Sequence, residues 1–260
     1  ILGSGDIGLI MARRMEIEGA KVLAVVELMP YSSGLKRNIV QCLDDFSIPL
    51  LLSHTVTKIE GRKRVERITV SEVDEKRKPI PGTEITFDAD TLLLSVGLLP
   101  ENELSRKAGI SMSTVTGGPV VDNNFQTDSD GIFACGNVLH VHDLVDYVSS
   151  EAEKAGENAA LYALYDRKEE KKVIPISVFG LARYTVPEII HEDTKEDTTI
   201  RFRVSNVKKD GKIVVKINGE EVISKKKRIM APGEMETIII SKRILDKYDS
   251  IESMEVGTED

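Results

Sequence analysis

The sequence predicts an α/β chain built from more than one domain, and three observations carry that prediction. The first is the opening octapeptide, Ile1-Leu2-Gly3-Ser4-Gly5-Asp6-Ile7-Gly8, which reads as a strand end, a glycine-rich turn and a helix start. The second is the continuous apolar run Lys21-Val22-Leu23-Ala24-Val25-Val26-Glu27, the pattern of a strand buried on both faces of a parallel sheet. The third is a change after residue 194 to short alternating segments separated by turn residues, the pattern of a β-rich domain.

Length and charge narrow the classes. The 260 residues leave room for about two domains, each with its own core. A net charge of −8 excludes nucleic acid as a main partner, because a phosphate backbone demands a basic face. No apolar run approaches the roughly 20 residues that span a bilayer. Cys42 and Cys135 lie far apart and form no C-x-x-C, so neither a zinc ribbon nor a dithiol pair is available in this stretch. Reduced thiols in an acidic chain place it in the cytoplasm. Only Ile1 and Leu2 precede Gly3, whereas a first strand needs about five or six residues. The strand reads as cut, and the chain as a piece of something longer.

The octapeptide is a G-x-G-x-x-G, a pattern whose chemistry is phosphate binding by backbone. Gly3 permits the tight turn, Gly5 lets the main chain approach a pyrophosphate, and Gly8 lets the helix lie close on the strand. The helix then aims free N–H groups at the phosphates, with Asp6 and Ile7 in its first turn. Ile7, Ile10, Met11 and Met15 recur at helical spacing and define the expected inward face, and Gly19 is the expected C-cap. Glu27 stands 24 positions after Gly3, close to the roughly 20 expected of an acid that binds the adenosine ribose hydroxyls. Strand, turn, helix, strand and acid in register make this a Rossmann-like dinucleotide site; a βαβ unit without a nucleotide is the competing reading. A carboxylate at Glu27 repels a 2′-phosphate and favours NAD over NADP, a preference that Lys36 and Arg37 weaken.

Gly34 to Asp45 reads as a second helix with Leu35, Ile39, Val40 and Leu43 inward and Cys42 as a core thiol. Leu50–Leu52 reads as another parallel strand, and His54 at its end as structural. Val56 to Val73 alternates charged and apolar residues around Gly61, a β-meander with one wet face that continues through a charged turn at Lys76–Gly82 to Ile85–Phe87. Asp90 to Gly97 returns to the buried parallel type. Residues 1–97 therefore form the expected three-layer NAD(P)-binding domain.

Leu92-Leu93-Leu94-Ser95-Val96-Gly97-Leu98-Leu99-Pro100-Glu101-Asn102 resembles the segment that closes the NAD domain of FAD-dependent pyridine nucleotide-disulfide oxidoreductases. Val121 to Asn137, with Thr127, Gly131-Ile132-Phe133-Ala134 and Gly136-Asn137, resembles that family's second flavin motif, T-x-x-x-G-h-h-A-x-G-D with h apolar. The resemblance covers residues 1–165 and implies an NAD domain set within an FAD-binding domain, of which 98–168 is the C-terminal portion. It implies cofactor contacts by Gly97, Gly136 and position 137, and a helix whose N-terminal turn, at Tyr147 and Val148, faces the flavin. The family's Asp is replaced by Asn137, which keeps one acceptor and adds donors. The expected helix spans Asp146 to Leu164 with a stripe of small residues, Ala152, Ala155, Gly156, Ala159 and Ala160. His140 and His142, followed by Asp143 and Asp146, were the one set worth weighing as metal ligands, but no further ligands converge in sequence. A polar lining near the flavin is the preferred reading, and no metal is expected.

The first flavin G-x-G-x-x-G of that family is not in these residues, nor is a redox C-x-x-C. The sequence looks closer to flavoprotein subunits of multi-component dehydrogenases than to disulfide reductases, and the piece by itself is expected to be inactive. Asp166–Lys172 reads as a charged linker, and 173–260 as the small β-rich domain. Its strands are expected at Ile200–Val204, Ile213–Ile217, Val222–Ser224 and Thr237–Ile240, with turns at Lys209-Asp210-Gly211 and Asn218-Gly219. Lys225-Lys226-Lys227-Arg228 reads as an exposed edge, and docking of a partner subunit as the domain's use. The expected activity is transfer of hydride between NAD(P)H and flavin, with no catalytic acid or base identified. The alternative is a non-catalytic NAD-binding module that docks a partner.

Overall fold

Hydrogen bonds at the first two residues set the order of the first sheet. Leu2 bridges Leu94 on one side and Val26 on the other, both parallel, while Val25–Val26 pairs in parallel with Leu50–Leu51. The spatial order is therefore Leu94, Leu2, Val26, Leu51, with the first strand inside and later ones added on either side. The structure is a computed structural model that describes residues 1–165, 172–194 and 196–260, in two units, Ile1–Leu98 and Leu99–Asp260. Apart from Lys172, the stretch read as a linker lies outside the described residues.

In the first unit the elements run α1 (Asp6–Ile17), β1 (Val25–Val26), α2 (Lys36–Cys42), β2 (Leu50–Leu51), β3 (His54–Glu60), β4 (Arg67–Glu72) and β5 (Ile85–Asp88). The helices cover one face of the parallel sheet through Leu9, Ala12, Val25, Cys42, Leu43 and Ile48. The antiparallel meander β3-β4-β5 covers the other through Val26, Ile68 and Val70. This is a three-layer Rossmann-like arrangement. The inward face of α1 differs from expectation. Gly8, Leu9 and Ala12 are buried, while Ile7 is 64% exposed and Ile10 and Met11 also face outward. The helix approaches the sheet so closely at Gly8 that its contact ridge follows the small residues. Val40 is likewise exposed, and α2 ends at Cys42 before a short 3-10 turn at Asp44–Phe46. The expected strand at 21–27 narrows to two residues, because its partner β2 is itself only Leu50–Leu51. Leu94 and Val96, expected in a buried strand, are exposed, since residues 90–97 make only the bridge to Leu2 and have an uncovered face.

The second unit begins with α3 (Glu103–Lys107) and the long α4 (Val145–Tyr165). It continues with β6 (Val173–Phe179), β7 (Ile189–His191), β8 (Thr198–Phe202), β9 (Lys208–Ile217), β10 (Glu220–Met230), β11 (Glu236–Ile240), α5 (Lys242–Leu245) and β12 (Met254–Glu259). A five-stranded sheet in the order β10-β9-β12-β6-β7 and the pair β11-β8 share one core of Ile174, Ile190, Ile200, Phe202, Ile213, Ile217, Met230 and Val256. Asn218-Gly219 makes the expected hairpin, both residues at positive φ. Lys209-Asp210-Gly211 does not turn. It lies within β9, where Asp210 takes positive φ and Gly211 stays paired to Lys227. β10 is an edge strand of its sheet and carries the basic run, with Lys227 paired to Glu236. A second core, Val121, Phe125, Leu139, Ala155, Tyr184 and Val186, lies beneath α4. Of the expected small-residue stripe only Ala155 is fully buried there, four residues after Glu151; Ala152, Gly156 and Ala160 are exposed on the open side. Among the described residues no helix is long and apolar enough to cross a membrane.

Candidate functional site

The glycine loop is held by contacts that explain two of its three glycines. Gly3 has φ +100°, and a Cβ there would lie 1.9 Å from the Ser95 carbonyl oxygen. A Cβ on Gly8 would lie 2.4 Å from the Gly3 carbonyl oxygen. Gly5 is different: its backbone is extended at φ −66°, and its nearest neighbour would be Ser33 Oγ at 3.6 Å. The fold tolerates a side chain at Gly5, so the space there is open to a ligand. A fourth glycine, Gly34, was not singled out from sequence; a Cβ on it would meet Leu9 Cδ1 at 2.4 Å and the Ser4 carbonyl oxygen at 2.9 Å.

Ser4 is the centre of this loop and is fully buried. Its N–H and hydroxyl both donate to Glu27 Oε2, at 3.0 and 2.6 Å, while its carbonyl accepts from Gly34 N at 3.0 Å and from Ser32 Oγ at 2.8 Å. Glu27 Oε1 accepts from Met29 N at 2.9 Å. The acid expected at the ribose is thus at the end of its strand and buried, with both oxygens already engaged by the loop. Asp6 Oδ1 accepts from Leu35 N and Asn38 Nδ2, at 2.8 and 2.7 Å, tying the starts of α1 and α2 together. Ile7 is exposed at the helix start, and Gly97 has φ +108° with nothing near its Cβ direction. A cavity of about 790 Å³ in the same unit is lined by Ala20–Ala24, Arg64–Glu66 and Ala89–Leu93, at the amino ends of the parallel strands. Ligands of open parallel sheets sit beyond the carboxyl ends, where the glycine loop is.

The second group of expected cofactor residues lies wholly in the second unit. Residues 132–134, expected as a buried strand, pair only through the bridge Gln126–Phe133 and are half open, because the facing segment 125–127 is equally short. The chain then enters a 3-10 turn at Gly136–Val138, with Gly136 at φ +71°. Asn137 is exposed; its Oδ1 accepts from His142 N at 3.2 Å, and its Nδ2 has no partner among the described residues. That leaves donors facing outward, as a ligand-contacting Asn requires. Tyr147 and Val148 are half-buried on the first turn of α4, and Val148 Cγ1 would lie 3.1 Å from a Cβ on Gly136.

The structure adds a residue that the sequence reading passed over. Glu151, one turn further along α4, has a side chain only 1% exposed and accepts four hydrogen bonds. Oε1 takes His140 Nε2 at 3.3 Å and Arg201 Nη1 at 2.9 Å; Oε2 takes His142 Nε2 and Gly136 N, both at 3.0 Å. Two imidazoles and a carboxylate resemble a metal triad. Here each oxygen already accepts two bonds and a guanidinium neutralises the charge, so the group is a saturated carboxylate hub. Burial works to raise the Glu151 pKa, but the hydrogen bonds from His140 and His142 overcome it and hold the carboxyl down at about 2. Burial lowers the pKa of His140. Donation by both Nε2 atoms assigns each ring a proton there, and leaves both Nδ1 atoms buried without a partner among the described residues. The spacing of Glu151 from Gly136 gave no hint of the contact, and Arg201 arrives from 50 residues away.

Comparison with known proteins agrees with the geometry. Residues 1–159 match the family described as pyridine nucleotide-disulphide oxidoreductase. The chain is similar to an NADH oxidase of Methanocaldococcus jannaschii, 28% identical over 157 residues, which are 58% of this chain and 31% of that protein. It is similar over 255 residues to a rubredoxin-NAD(+) reductase of Pseudomonas putida, at 26% identity, covering 94% of this chain and 59% of the relative. Among solved structures, thioredoxin reductase of T. acidophilum superposes with a TM-score of 0.55 at 25% identity, over 63% of this chain and 51% of that one. The thioredoxin reductase of Lactococcus lactis, 16% identical with a TM-score of 0.54, shares the fold over 63% of this chain and 52% of its own. The chain therefore spans about a third of the length of the NADH oxidase and a little over half that of the rubredoxin reductase. A glycine-rich turn before a helix in one unit, a Gly136-Asn137 turn before a long helix in the other, and the match over residues 1–159 lead to one assignment: the chain belongs to the pyridine nucleotide-disulphide oxidoreductases, a family of FAD- and NAD(P)H-dependent oxidoreductases.

Proposed function

We propose that the protein of which this chain is part is an FAD-dependent oxidoreductase that passes electrons between NAD(P)H and flavin, and onward to a partner protein or subunit. The observation that carries this reading is the contrast within the glycine loop. Gly3 and Gly8 are required by the fold itself, whereas Gly5 borders open space that leaves its backbone accessible to a ligand. Gly3, Gly5, Asp6, Ile7, Gly8 and Glu27 are assigned to the nicotinamide nucleotide, with NAD favoured over NADP by the buried carboxylate of Glu27. Gly97, Gly136, Asn137, Tyr147 and Val148 are assigned to the flavin side. When both cofactors are bound, they supply hydride transfer, chemistry for which the protein need provide only binding, orientation and electrostatics. The amides at the start of α1 receive the pyrophosphate, and Ser4 keeps Glu27 and the loop in one fixed arrangement.

The partner assignment is supported by the relatives' names: one is a rubredoxin-NAD(+) reductase, and others are flavorubredoxin-NAD(+) reductases of the nitric oxide reductase system. Two free cysteines, Cys42 and Cys135, support assignment to the cytoplasm. The test is the visible spectrum of the full-length protein, followed anaerobically on addition of NADH. Bound flavin that bleaches with NADH is expected. A colourless protein that cannot be reconstituted with FAD yet binds NADH would overturn this reading in favour of a non-catalytic NAD-binding module.

A further inference from the structure

Two arginines, Arg201 in β8 and Arg203 just past its end, reach back from the β-rich region to the segment between the Gly136 turn and α4. Arg203 donates to the Val141 carbonyl at 2.9 Å and to Asp143, and also to the carbonyl of Gly233 at 2.7 Å, while Asp143 Oδ2 accepts from Met235 N at 2.7 Å. That set fastens the loop to the β-rich region. Arg201 does something else. Its side chain is 7% exposed, its guanidinium carbon lies 5.1 Å from the centre of the Tyr147 ring, and its Nη1 lies 2.9 Å from Glu151 Oε1. Tyr147 and Glu151 are four residues apart on one face of α4. Beyond Glu151 the contacts lead directly to Gly136 N, and through His142 to Asn137.

We propose that Arg201 is a positioning residue for the cofactor held at Gly136, Asn137, Tyr147 and Val148, acting through Glu151 and Tyr147, so that the β-rich region sets how tightly the flavin is held. The proposal rests on the flavin reading of those four residues. Its physical basis is charge. Among the described residues Arg201 supplies the one guanidinium on this buried carboxylate. Without it, Oε1 keeps only the 3.3 Å contact from His140, and the carboxylate is free to rotate away from Gly136 N–H. The turn then keeps its backbone bond from Leu139 N to the Gly136 carbonyl and loses the side-chain acceptor that fixes it on α4. Arg is required rather than a simple cation, because its planar guanidinium meets a ring face and a carboxylate at once.

The test uses the full-length protein and reads three quantities: thermal midpoint, FAD dissociation constant after removal of bound flavin, and the visible and circular dichroism spectra of the flavin. Arg201→Met is expected to weaken FAD binding by about tenfold or more and to change the flavin spectra. Arg201→Lys, which keeps the charge and loses the planar fork, is expected to fold and to fall between that variant and wild type. Glu236→Gln breaks the Lys227–Glu236 pair elsewhere in the β-rich region; it is expected to lower the thermal midpoint and leave FAD affinity and spectra unchanged. The proposal is overturned if folded Arg201 variants bind FAD within about twofold of wild type with unaltered spectra. It is overturned equally if Arg201→Met fails to fold while Arg201→Lys binds FAD like wild type, or if Glu236→Gln moves affinity as much as they do. A wild-type protein that binds no FAD would instead remove the flavin reading itself, and this proposal with it.

Discussion

At the scale of the residue, the glycine loop separates what the fold needs from what a ligand needs. Gly8→Ala places a Cβ 2.4 Å from the Gly3 carbonyl oxygen and should cost about 3 kcal/mol of stability. Gly5→Ala meets no such obstacle and should change stability by less than about 1 kcal/mol, while weakening NADH binding severely. Thermal melts and NADH titrations of the two variants check this, and equal loss of stability in both would refute it. The acid response is likewise local. His140 is held neutral by burial, whereas the unfolded chain protonates it near its ordinary pKa of 6.5. Its contribution is therefore full above pH 6.5 and declines as pH falls below that. Glu151 is depressed from 4.5 to about 2, a contribution on the order of 3 kcal/mol that is complete above pH 4.5 and lost as pH falls toward 2. Thermal midpoints should show a first decline below pH 6.5 that His140→Gln flattens, and a steeper one below pH 4.5. These two groups also show where reading a sequence stops. His140 and His142 were visible as a pair, but their common partner was not, because Glu151 lies among alanines on α4 and its contacts are set by tertiary packing.

At the scale of the element, local chemistry decided some turns and lost others. Asn218-Gly219 was legible because both residues tolerate positive φ, which this hairpin demands. Lys209-Asp210-Gly211 carries similar turn residues, yet β9 continues through them, since Lys209 and Gly211 stay paired with β10 on either side of Asp210. Strands β6, β7 and β12 were not read from the sequence, although Gly180, at positive φ, marks the end of β6. Asn218 does more than turn. Its Oδ1 accepts from Glu252 N and Ser253 N, at 2.8 and 3.1 Å, and its Nδ2 donates to the Ser250 carbonyl. Asn218→Ala should therefore cost about 2–3 kcal/mol, from backbone strain and lost hydrogen bonds together. Asn218→Gly should cost less, because it relieves the strain alone. Chemical denaturation distinguishes the two, and equal losses would show that strain is not involved.

At the scale of the whole molecule, the three-layer arrangement of the first unit and the long helix of the second were legible in periodicity and glycine spacing. The dependence of the α4 segment on the β-rich region did not, because its contacts span 50 residues and more. A chain ending at Tyr165 would strand Glu151 without Arg201 and Asp143 without Arg203, and would strip Tyr184 and Val186 from the core beneath α4. Such a truncation should leave residues 1–98 protected in limited proteolysis and residues 99–165 rapidly cleaved. Protection of both stretches would show that the helix stands without its clamp.

Ser4 has a consequence of another kind. Its amide, hydroxyl and carbonyl are all bonded, to Glu27, Gly34 and Ser32. A loop whose central residue is fixed at every polar atom has little left to rearrange when a nucleotide arrives. Capture of NADH should then be a single encounter, its observed rate in stopped-flow rising linearly with nucleotide concentration and never reaching a plateau. Discrimination among nucleotides would be exercised in how long each one stays.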